Sequence, residues 1–381
     1  MLDYKCPNCG RRLGYQGLCW LCAQEKERND VLAMTPEQRR EKTAHLIANI
    51  EKVGDYQNPE YDDFWNMLSY LGICPPELQR AALKKNIFDP SQIYYHAPED
   101  VRDELIRLLM ETTDAMTASR LMECVAMQGD DTSLKALQTL EENPPEWREN
   151  LYVDPSVYAQ CGGWTFNKKG ERRLLNYDTC YAMVKKHTNE KDSSEQEKKN
   201  TKILKKAAVI GRKRPDKCEN CGCTMMDMLV LDGHDERLKF LELDGIITAS
   251  CCPNCVCFTE SSFSRFTLDG SSTPMKDTLI IQNVENYCND EEIEMILDNS
   301  WELGENAVPV FYGAHCEDVN TIGGFANWIN DWIYVLCPEC KKPMKLLAQI
   351  QWDTIQESCE GTLYIEICPD CKITSIHHQQ T

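Results

Sequence analysis

The sequence has little histidine, a shortage of positive charge and no long apolar run. Its seven histidines include no His-Glu-x-x-His pair, and the chain contains no phosphate-binding loop, nucleophile elbow or dinucleotide fingerprint. No apolar run approaches the roughly 18 residues that a membrane-spanning helix requires. The 41 Lys and Arg are outnumbered by 61 Asp and Glu, so the net charge is −20 and the surface repels phosphate groups. We therefore expect no enzymatic activity, no membrane contact and no nucleic-acid ligand.

The beginning of the sequence also lacks a secretory signal. Met1 is followed almost at once by the pair Cys6 and Cys9, with no apolar segment between them. Thiols that stay free to bind metal are typical of a reducing compartment. The sequence therefore predicts a cytoplasmic protein.

Cysteine, by contrast, is abundant: there are 22, and twelve of them form three sets of two Cys-x2-Cys pairs. Four thiolates arranged in two such pairs suit the tetrahedral sulfur shell of a zinc ion. The predicted ligands of three zinc ions are Cys6, Cys9, Cys19, Cys22, Cys218, Cys221, Cys252, Cys255, Cys337, Cys340, Cys368 and Cys371. With every coordination position filled by protein, these zinc ions would stabilise the fold and perform no chemistry.

Other cysteines lie close to the second set and leave its ligands open. Cys223, Cys251 and Cys257 are neighbours of its two pairs, and each could replace a ligand named above. Cysteines farther away, such as Cys74 and Cys124, are predicted to be small buried apolar residues.

The second and third sets are two copies of one motif. Met225 and Met344 each follow the second cysteine of their set by four positions, and Gly245 and Gly361 each precede the third cysteine by seven. The stretch between the two pairs differs by only about three residues, which a loop absorbs easily. We expect an internally duplicated unit in which a strand leads into the second pair of each copy.

Composition divides the chain into four segments and predicts an α+β multidomain fold. Residues 1–30 are predicted to form a zinc ribbon, and residues 35–150 an all-helical domain that is either a HEAT-like solenoid or a bundle. Residues 151–206 begin as an aromatic bridging segment and end as a charged linker. Residues 207–381 are predicted to form a β-rich, duplicated domain that carries two four-cysteine sites.

Several element boundaries can be predicted from capping residues. Thr35 and Gln38 form a capping box at one helix start, while Asn58-Pro59 begins the next helix and Gly72 ends it. In the last segment we expect a helix at Asp290–Asn299 and a sharply turning loop at Thr321–Trp332. The predicted strands there are Thr278–Gln282, Thr362–Ile367 and two within Phe240–Ala249 that turn at Asp244-Gly245.

The remaining histidines suggest no catalytic or metal site. His315 and Cys316 are adjacent, but neighbours on a strand point to opposite faces, so we expect no catalytic dyad. His377 and His378 are expected to belong to a frayed chain end.

The C-terminal half resembles the YwqG-like family, which groups with the eukaryotic programmed-cell-death-protein-2-like proteins. The resemblance covers roughly residues 207–381, with Ala326 and Asn330 where the family typically has Pro and Gln. It rests on Gly323-Gly324-Phe325-Ala326-Asn327-Trp328-Ile329-Asn330, Cys337-Pro338-Glu339-Cys340, Met344, Leu346-Leu347-Ala348-Gln349-Ile350, Gly361-Thr362-Leu363-Tyr364 and Cys368-Pro369-Asp370-Cys371.

The resemblance implies a function in protein binding. Residues 151–155 and 162–164 are similar to bacterial members attached to toxin systems, where such proteins bind and block a cognate toxin. The eukaryotic relatives look instead like chaperones of a ribosomal protein, and neither branch is known as an enzyme. We therefore expect an immunity protein whose partner is a cognate toxin, such as one that uses NAD or a nucleotide, and the alternative is a chaperone or adaptor for a basic ribosomal protein.

Charge is unevenly distributed, in a way that suits a basic partner. Residues 35–150 carry about −10 and residues 218–381 about −19, whereas residues 151–217 carry about +8. Complementary charge speeds association and helps to reject wrong partners. Solubility is the other explanation of the acidity.

Overall fold

The computed structural model describes residues 4–185, 206–276, 288, 290–297, 301–315, 319–355 and 360–380. These residues form a mixture of helices and β-sheets, which confirms the α+β class. They divide into two compact units, Met1–Leu175 and Asn176–Thr381. Among the described helices, none combines the length and the apolar character needed to cross a bilayer.

The first unit consists mostly of helices, preceded by a short hairpin and followed by another. Its strands are β1 (Tyr4–Lys5), β2 (Arg12–Leu13), β3 (Trp164–Phe166) and β4 (Arg172–Leu174). Its helices are α1 (Trp20–Leu32), α2 (Pro36–Ala48), α3 (Ile50–Val53), α4 (Pro59–Leu71), α5 (Pro76–Lys84), α6 (Glu99–Glu111), α7 (Ala115–Ala126), α8 (Asp131–Glu142) and α9 (Pro155–Tyr158).

The predicted helix ends are confirmed in the first unit. The Gln38 amide donates to Thr35 Oγ1 at 3.3 Å while the Thr35 amide donates to Gln38 Oε1 at 2.8 Å, which is the expected capping box of α2. Helix α4 begins at Pro59 and ends at Gly72, whose φ of 63° is left-handed. Local capping chemistry therefore sets these boundaries.

The aromatic segment predicted to bridge the domains is divided between the two units. Trp164 is buried in the first unit, where its indole N–H donates to the Ala126 carbonyl at the end of α7 at 2.8 Å. The residues after Leu175 belong to the second unit, in which Cys180–Lys185 is a sheet strand. The division follows from these long-range contacts, which composition does not reveal.

The described residues of the second unit form two antiparallel sheets and one α-helix, α10 (Asp290–Leu297). Its strands are β5 (Cys180–Lys185), β6 (Ala208–Lys217), β7 (Thr224–Asp232), β8 (Ile246–Cys251), β9 (Ser262–Phe266), β10 (Ser272–Pro274), β11 (Trp301–Leu303), β12 (Asn320–Gly323), β13 (Lys345–Gln351), β14 (Thr362–Cys368) and β15 (Ile373–Gln379). The smaller sheet has the order β6-β7-β8, and the larger one β10-β9-β15-β14-β13-β12-β5-β11. A single apolar cluster draws residues from both sheets.

The two copies of the duplicated motif fold alike. In each, a strand that begins within one residue of the repeated Met (β7 or β13) pairs with a strand that leads into the second cysteine pair (β8 or β14), as predicted. The pairing register shifts between Asp227 and Leu229 in one copy and between Leu346 and Ala348 in the other, at equivalent distances from the repeated Met. A bulge retained at one position in both copies indicates a common structural origin.

Two predicted elements of the last segment are wrong. Residues Glu236–Leu241 form a 3₁₀ helix, capped by the Asp235 side chain, so only one strand (β8) lies in the region where two were expected. Gly245 has a φ of 148°, and its backbone packs against Leu268 instead of forming a hairpin turn. The Thr321–Trp332 loop is also partly a strand, because β12 extends to Gly323. The helix at Asp290 is confirmed, while Thr278–Gln282 lies outside the described residues.

The expectation that His377 and His378 belong to a frayed end is also wrong. Both lie in β15, which pairs with β14 on one side and with β9 on the other. His377 is only 3% exposed. The terminal strand is held inside the sheet by a partner more than a hundred residues earlier in the chain.

After β12 the chain turns sharply at two glycines and crosses the larger sheet as a strap, which we define as residues 325–336. Gly323 and Gly324 have φ values of 73° and 71°. A Cβ at Gly324 would lie 2.5 Å from the Val310 carbonyl oxygen and 2.9 Å from the Cys180 side chain. Only glycine combines this backbone conformation with so close an approach.

We predict that Gly324→Ala destabilises the protein more than Gly222→Ala does. Gly222 has a similar φ of 75°, but a Cβ there would have no neighbour within 4 Å. The left-handed conformation alone costs about 1–2 kcal/mol, and overpacking adds about 1–3 kcal/mol at Gly324. Denaturant unfolding of both variants measures the difference. Equal losses would show that the contact with Val310 does not constrain this turn.

Candidate metal centres

The structure brings the twelve predicted ligands together in three groups of four. Within each group, the four sulfur atoms all lie within 4.8 Å of one another. The groups are Cys6, Cys9, Cys19 and Cys22 (site 1), Cys218, Cys221, Cys252 and Cys255 (site 2), and Cys337, Cys340, Cys368 and Cys371 (site 3). No other set of His, Cys, Asp or Glu in the described part of the chain meets this criterion.

The distances between sulfur atoms fit a tetrahedral metal. Four sulfurs at about 2.3 Å from a zinc ion are separated by about 3.8 Å along each edge of the tetrahedron. Cys9 and Cys19 are 3.5 Å apart, Cys221 and Cys252 3.5 Å, Cys218 and Cys255 3.8 Å, and Cys340 and Cys368 3.7 Å. The three groups are therefore compatible with three metal ions of this kind.

One backbone arrangement positions the first cysteine pair of all three sites. The amide of the first cysteine donates to the carbonyl five residues later, and the amide four residues later donates back to the first cysteine. The corresponding residues are Cys6, Arg11 and Gly10 in site 1, Cys218, Cys223 and Gly222 in site 2, and Cys337, Lys342 and Lys341 in site 3, with distances of 2.8–2.9 Å. The residue after the pair is left-handed each time, with φ of 77°, 75° and 58°. All of these hydrogen bonds join residues within one six-residue stretch of the chain.

The second cysteine pairs differ in structure. In site 1 the pair lies at the start of α1, in site 2 it leads into the 3₁₀ turn Cys255–Phe258, and in site 3 it lies between β14 and β15. The described residues of the predicted ribbon, from Tyr4 onwards, thus form a hairpin followed by a helix. The helix forms there because the Ala23 amide donates to the Cys19 carbonyl at 2.9 Å.

Asparagine side chains donate to sulfur in two of the sites. Asn8 Nδ2 lies 3.3 Å from Cys22 Sγ, and Asn220 Nδ2 lies 3.4 Å from Cys255 Sγ. Each Asn precedes the second cysteine of its site and contacts the fourth. Such donors stabilise a thiolate and orient it towards a metal.

Site 3 has a carboxylate at the equivalent position. Glu339 pairs with Arg265, whose guanidinium also donates to the Cys371 carbonyl at 3.0 Å. The arginine therefore compensates the negative charge of a carboxylate that stands where sites 1 and 2 have an asparagine. Sequence reasoning missed Arg265, because it lies in β9, distant from both pairs of site 3.

The sulfur atoms of each group cannot all be thiolates without a cation. Burial raises the pKa of the Cys6 thiol, but backbone amides, that of Cys19 first, outweigh this and hold the pKa at about 6. Burial, together with the neighbouring sulfurs, raises the pKa of Cys22 to about 12. Thiolates repel one another at these distances, so a metal ion is what allows four of them to coexist.

The alternative ligands of site 2 lie outside the four-sulfur group. Cys223 is buried, and its Sγ donates to the Cys288 carbonyl at 3.3 Å. Cys251 is buried in β8, opposite Met226. Neither thiol, nor that of Cys257, belongs to the group whose sulfurs lie within 4.8 Å.

The suspected His315–Cys316 pair is only half described, since Cys316 lies outside the described residues. Burial lowers the pKa of His315 to about 4, which keeps this imidazole neutral at pH 7. The expectation that the pair is not a catalytic dyad stays a prediction.

Comparison with known proteins identifies a relative but no function. No family model matches the chain, and no solved structure matches it. The chain is similar to the uncharacterized protein YpfL of Salmonella typhimurium (strain LT2), with 27% identity over 298 residues. This match covers 76% of the chain and 64% of YpfL, so the chain spans less than two thirds of its curated relative.

We predict that Asn220→Ala weakens metal binding at site 2 by about 10–100-fold, because Cys255 loses its side-chain donor. The matched control is Glu219→Ala in the same cysteine pair, since the Glu219 side chain is 83% exposed. Chelator competition with each variant measures the affinity. If both variants release metal at the same chelator concentration as the wild-type protein, the Asn220 side chain does not stabilise the Cys255 thiolate.

Proposed function

We propose that the protein is stabilised by three structural zinc ions and acts by binding another protein. The closed four-sulfur groups carry the first part of this proposal. Zinc would occupy each group with protein ligands in all four positions, leaving none for water or substrate. In this role the twelve cysteines hold strand and helix ends together and contribute to folding free energy.

The purified protein is expected to contain three zinc ions. Cys340→Ala and Cys368→Ala should each remove one zinc and unfold the second unit partly, because three ligands remain at site 3. Cys257→Ala, which changes a thiol outside the groups, is the control and should retain all three. Elemental analysis and thermal unfolding measure both effects. Three zinc ions in Cys340→Ala, with wild-type stability, would contradict the assignment.

We further propose that the protein binds and neutralises a cognate toxin without catalysing a reaction. The proposal is supported by the resemblance of residues 207–381 to the YwqG-like family and by the acidic composition of both units. An acidic surface can cover the basic cleft of a toxin that uses NAD or a nucleotide. Occlusion needs roughly 800 Å² of surface on each partner, which a chain of 381 residues provides.

Charge reversal is expected to slow association with the toxin. Residues 218–381 carry the larger excess of negative charge. Replacing Glu291 and Glu292 of α10 with Lys should therefore reduce the association rate more than replacing Glu146 and Glu149 of the first unit with Lys. Glu294 is left unchanged, since it pairs with Lys213 at 3.0 Å. Unfolding curves of both double variants control for stability. The proposed electrostatic contribution would be wrong if association with the wild-type protein were insensitive to salt.

Co-expression separates immunity from the alternative function. A toxin encoded beside this chain should lose its toxicity when the two are co-expressed, and the two proteins should co-purify as a complex. A chaperone would instead co-purify with a basic ribosomal protein and would protect against no toxin. Protection without a detectable complex would contradict neutralisation by direct binding.

A further inference from the structure

The larger sheet has a polar face that is buried by the strap. The strap backbone is bound by sheet side chains: the Asn327 amide donates to Gln349 Oε1 at 2.8 Å and the Val335 amide to Glu366 Oε2 at 2.8 Å. Between them, the Ile329 amide donates to Tyr364 Oη at 3.0 Å. This strand face is therefore polar because it satisfies the backbone of an irregular segment.

Three side chains on this face have polar atoms that the described protein leaves unpaired. They are Glu366 Oε1, Ser375 Oγ and both ring nitrogens of His377. Glu366 and Ser375 are 0% exposed, and His377 is 3% exposed. Bulk water therefore does not reach these atoms.

The three side chains are close neighbours in the sheet. Glu366 on β14 lies directly opposite Ser375 on β15, and Tyr364 lies opposite His377. Residues two apart on a strand share a face, so all four side chains lie on one side of the sheet. Trp328 of the strap stacks on Tyr364 at 4.4 Å and lies parallel to the His377 ring at 6.1 Å.

Leaving these atoms unpaired would be costly. An unsatisfied buried donor or acceptor costs about 1–3 kcal/mol, and four atoms together would cost a large part of the stability of a domain. Burial raises the pKa of the Glu366 carboxyl, and the Ser375 hydroxyl lies close enough to lower it, but this contact leaves both nitrogens of His377 without partners among the described residues. Burial lowers the pKa of His377 to about 4, so at pH 7 the neutral imidazole offers one donor and one acceptor.

We propose that Glu366, Ser375 and His377 form a buried water site that connects the sheet to the strap. Water matches the chemistry, because it donates and accepts and typically makes about three hydrogen bonds when buried. The proposal depends neither on the metal ions nor on a protein partner.

Two substitutions of His377 in the full-length protein test the proposal. Phe keeps the ring shape but removes both nitrogens. A bound water then loses its hydrogen bonds to residue 377 and is held less well beside Ser375 and Glu366. Gln retains a donor and an acceptor. We expect His377→Phe to raise the unfolding equilibrium constant at least tenfold and His377→Gln to raise it less.

The opposite order would overturn the proposal. If no water is bound, removing two unpaired nitrogens is favourable, and His377→Phe is as stable as His377→Gln or more stable. A direct measurement uses the wild-type protein, in which NMR transfer from long-lived water to the His377 ring is expected. Absence of that transfer, with the ring resonances assigned, would also overturn it.

Discussion

Four cysteine sulfurs held in contact can all be ionised only if a cation offsets their mutual repulsion, and this constraint applies to each of the three groups. Each group places four sulfurs at separations of about 3.5–3.8 Å where measured, and burial opposes their ionisation. Site 1 has only a small apolar cluster around it, formed by its cysteines with Leu13, Leu18 and Leu21. A hairpin of two-residue strands gains little stability from a cluster of that size, and the four-sulfur geometry of site 1 is compatible with a bound metal ion. Site 2 is different, since its sulfurs join the main apolar cluster of the second unit.

Duplication explains why sites 2 and 3 share details that packing alone would not require. Both copies have the same bulge, and Gly245 and Gly361 both have positive φ, at 148° and 94°. The copies differ where their neighbours differ: Asn220 donates to sulfur in one, and Glu339 pairs with Arg265 in the other. The first cysteine pair of each site is thus a local structure, whereas the side chains that contact the pair depend on the surrounding sheet.

Features that depend on residues close together in the sequence could be predicted. Features that depend on the pairing of strands distant in the sequence could not. The cysteine spacing predicted the three groups, and capping residues predicted the ends of α2 and α4. The burial of His377 was not predicted, because its strand pairs with β9, which lies more than a hundred residues earlier in the chain. Nothing in the sequence shows that β14 pairs with it on the other side. His377 and Gln379 share one face of β15, and the strap covers both of them. The strand predicted to begin at Phe240 was likewise wrong, because Phe240 and Leu241 end a 3₁₀ helix that the Asp235 side chain caps.

The strap and site 3 share one structural frame. Val335 donates to Glu366 and accepts from the Met344 amide at 2.8 Å, so the end of the strap is tied to both strands of the second copy. Glu366 precedes the ligand Cys368 by two residues on β14, and Met344 follows the ligand Cys340 by four. A metal ion at site 3 would therefore fix the ends of β13 and β14, and these strands in turn position the polar side chains that bind the strap. A metal ion bound at site 3 would thereby act on the conformation of the strap, although it would lie outside the strap itself.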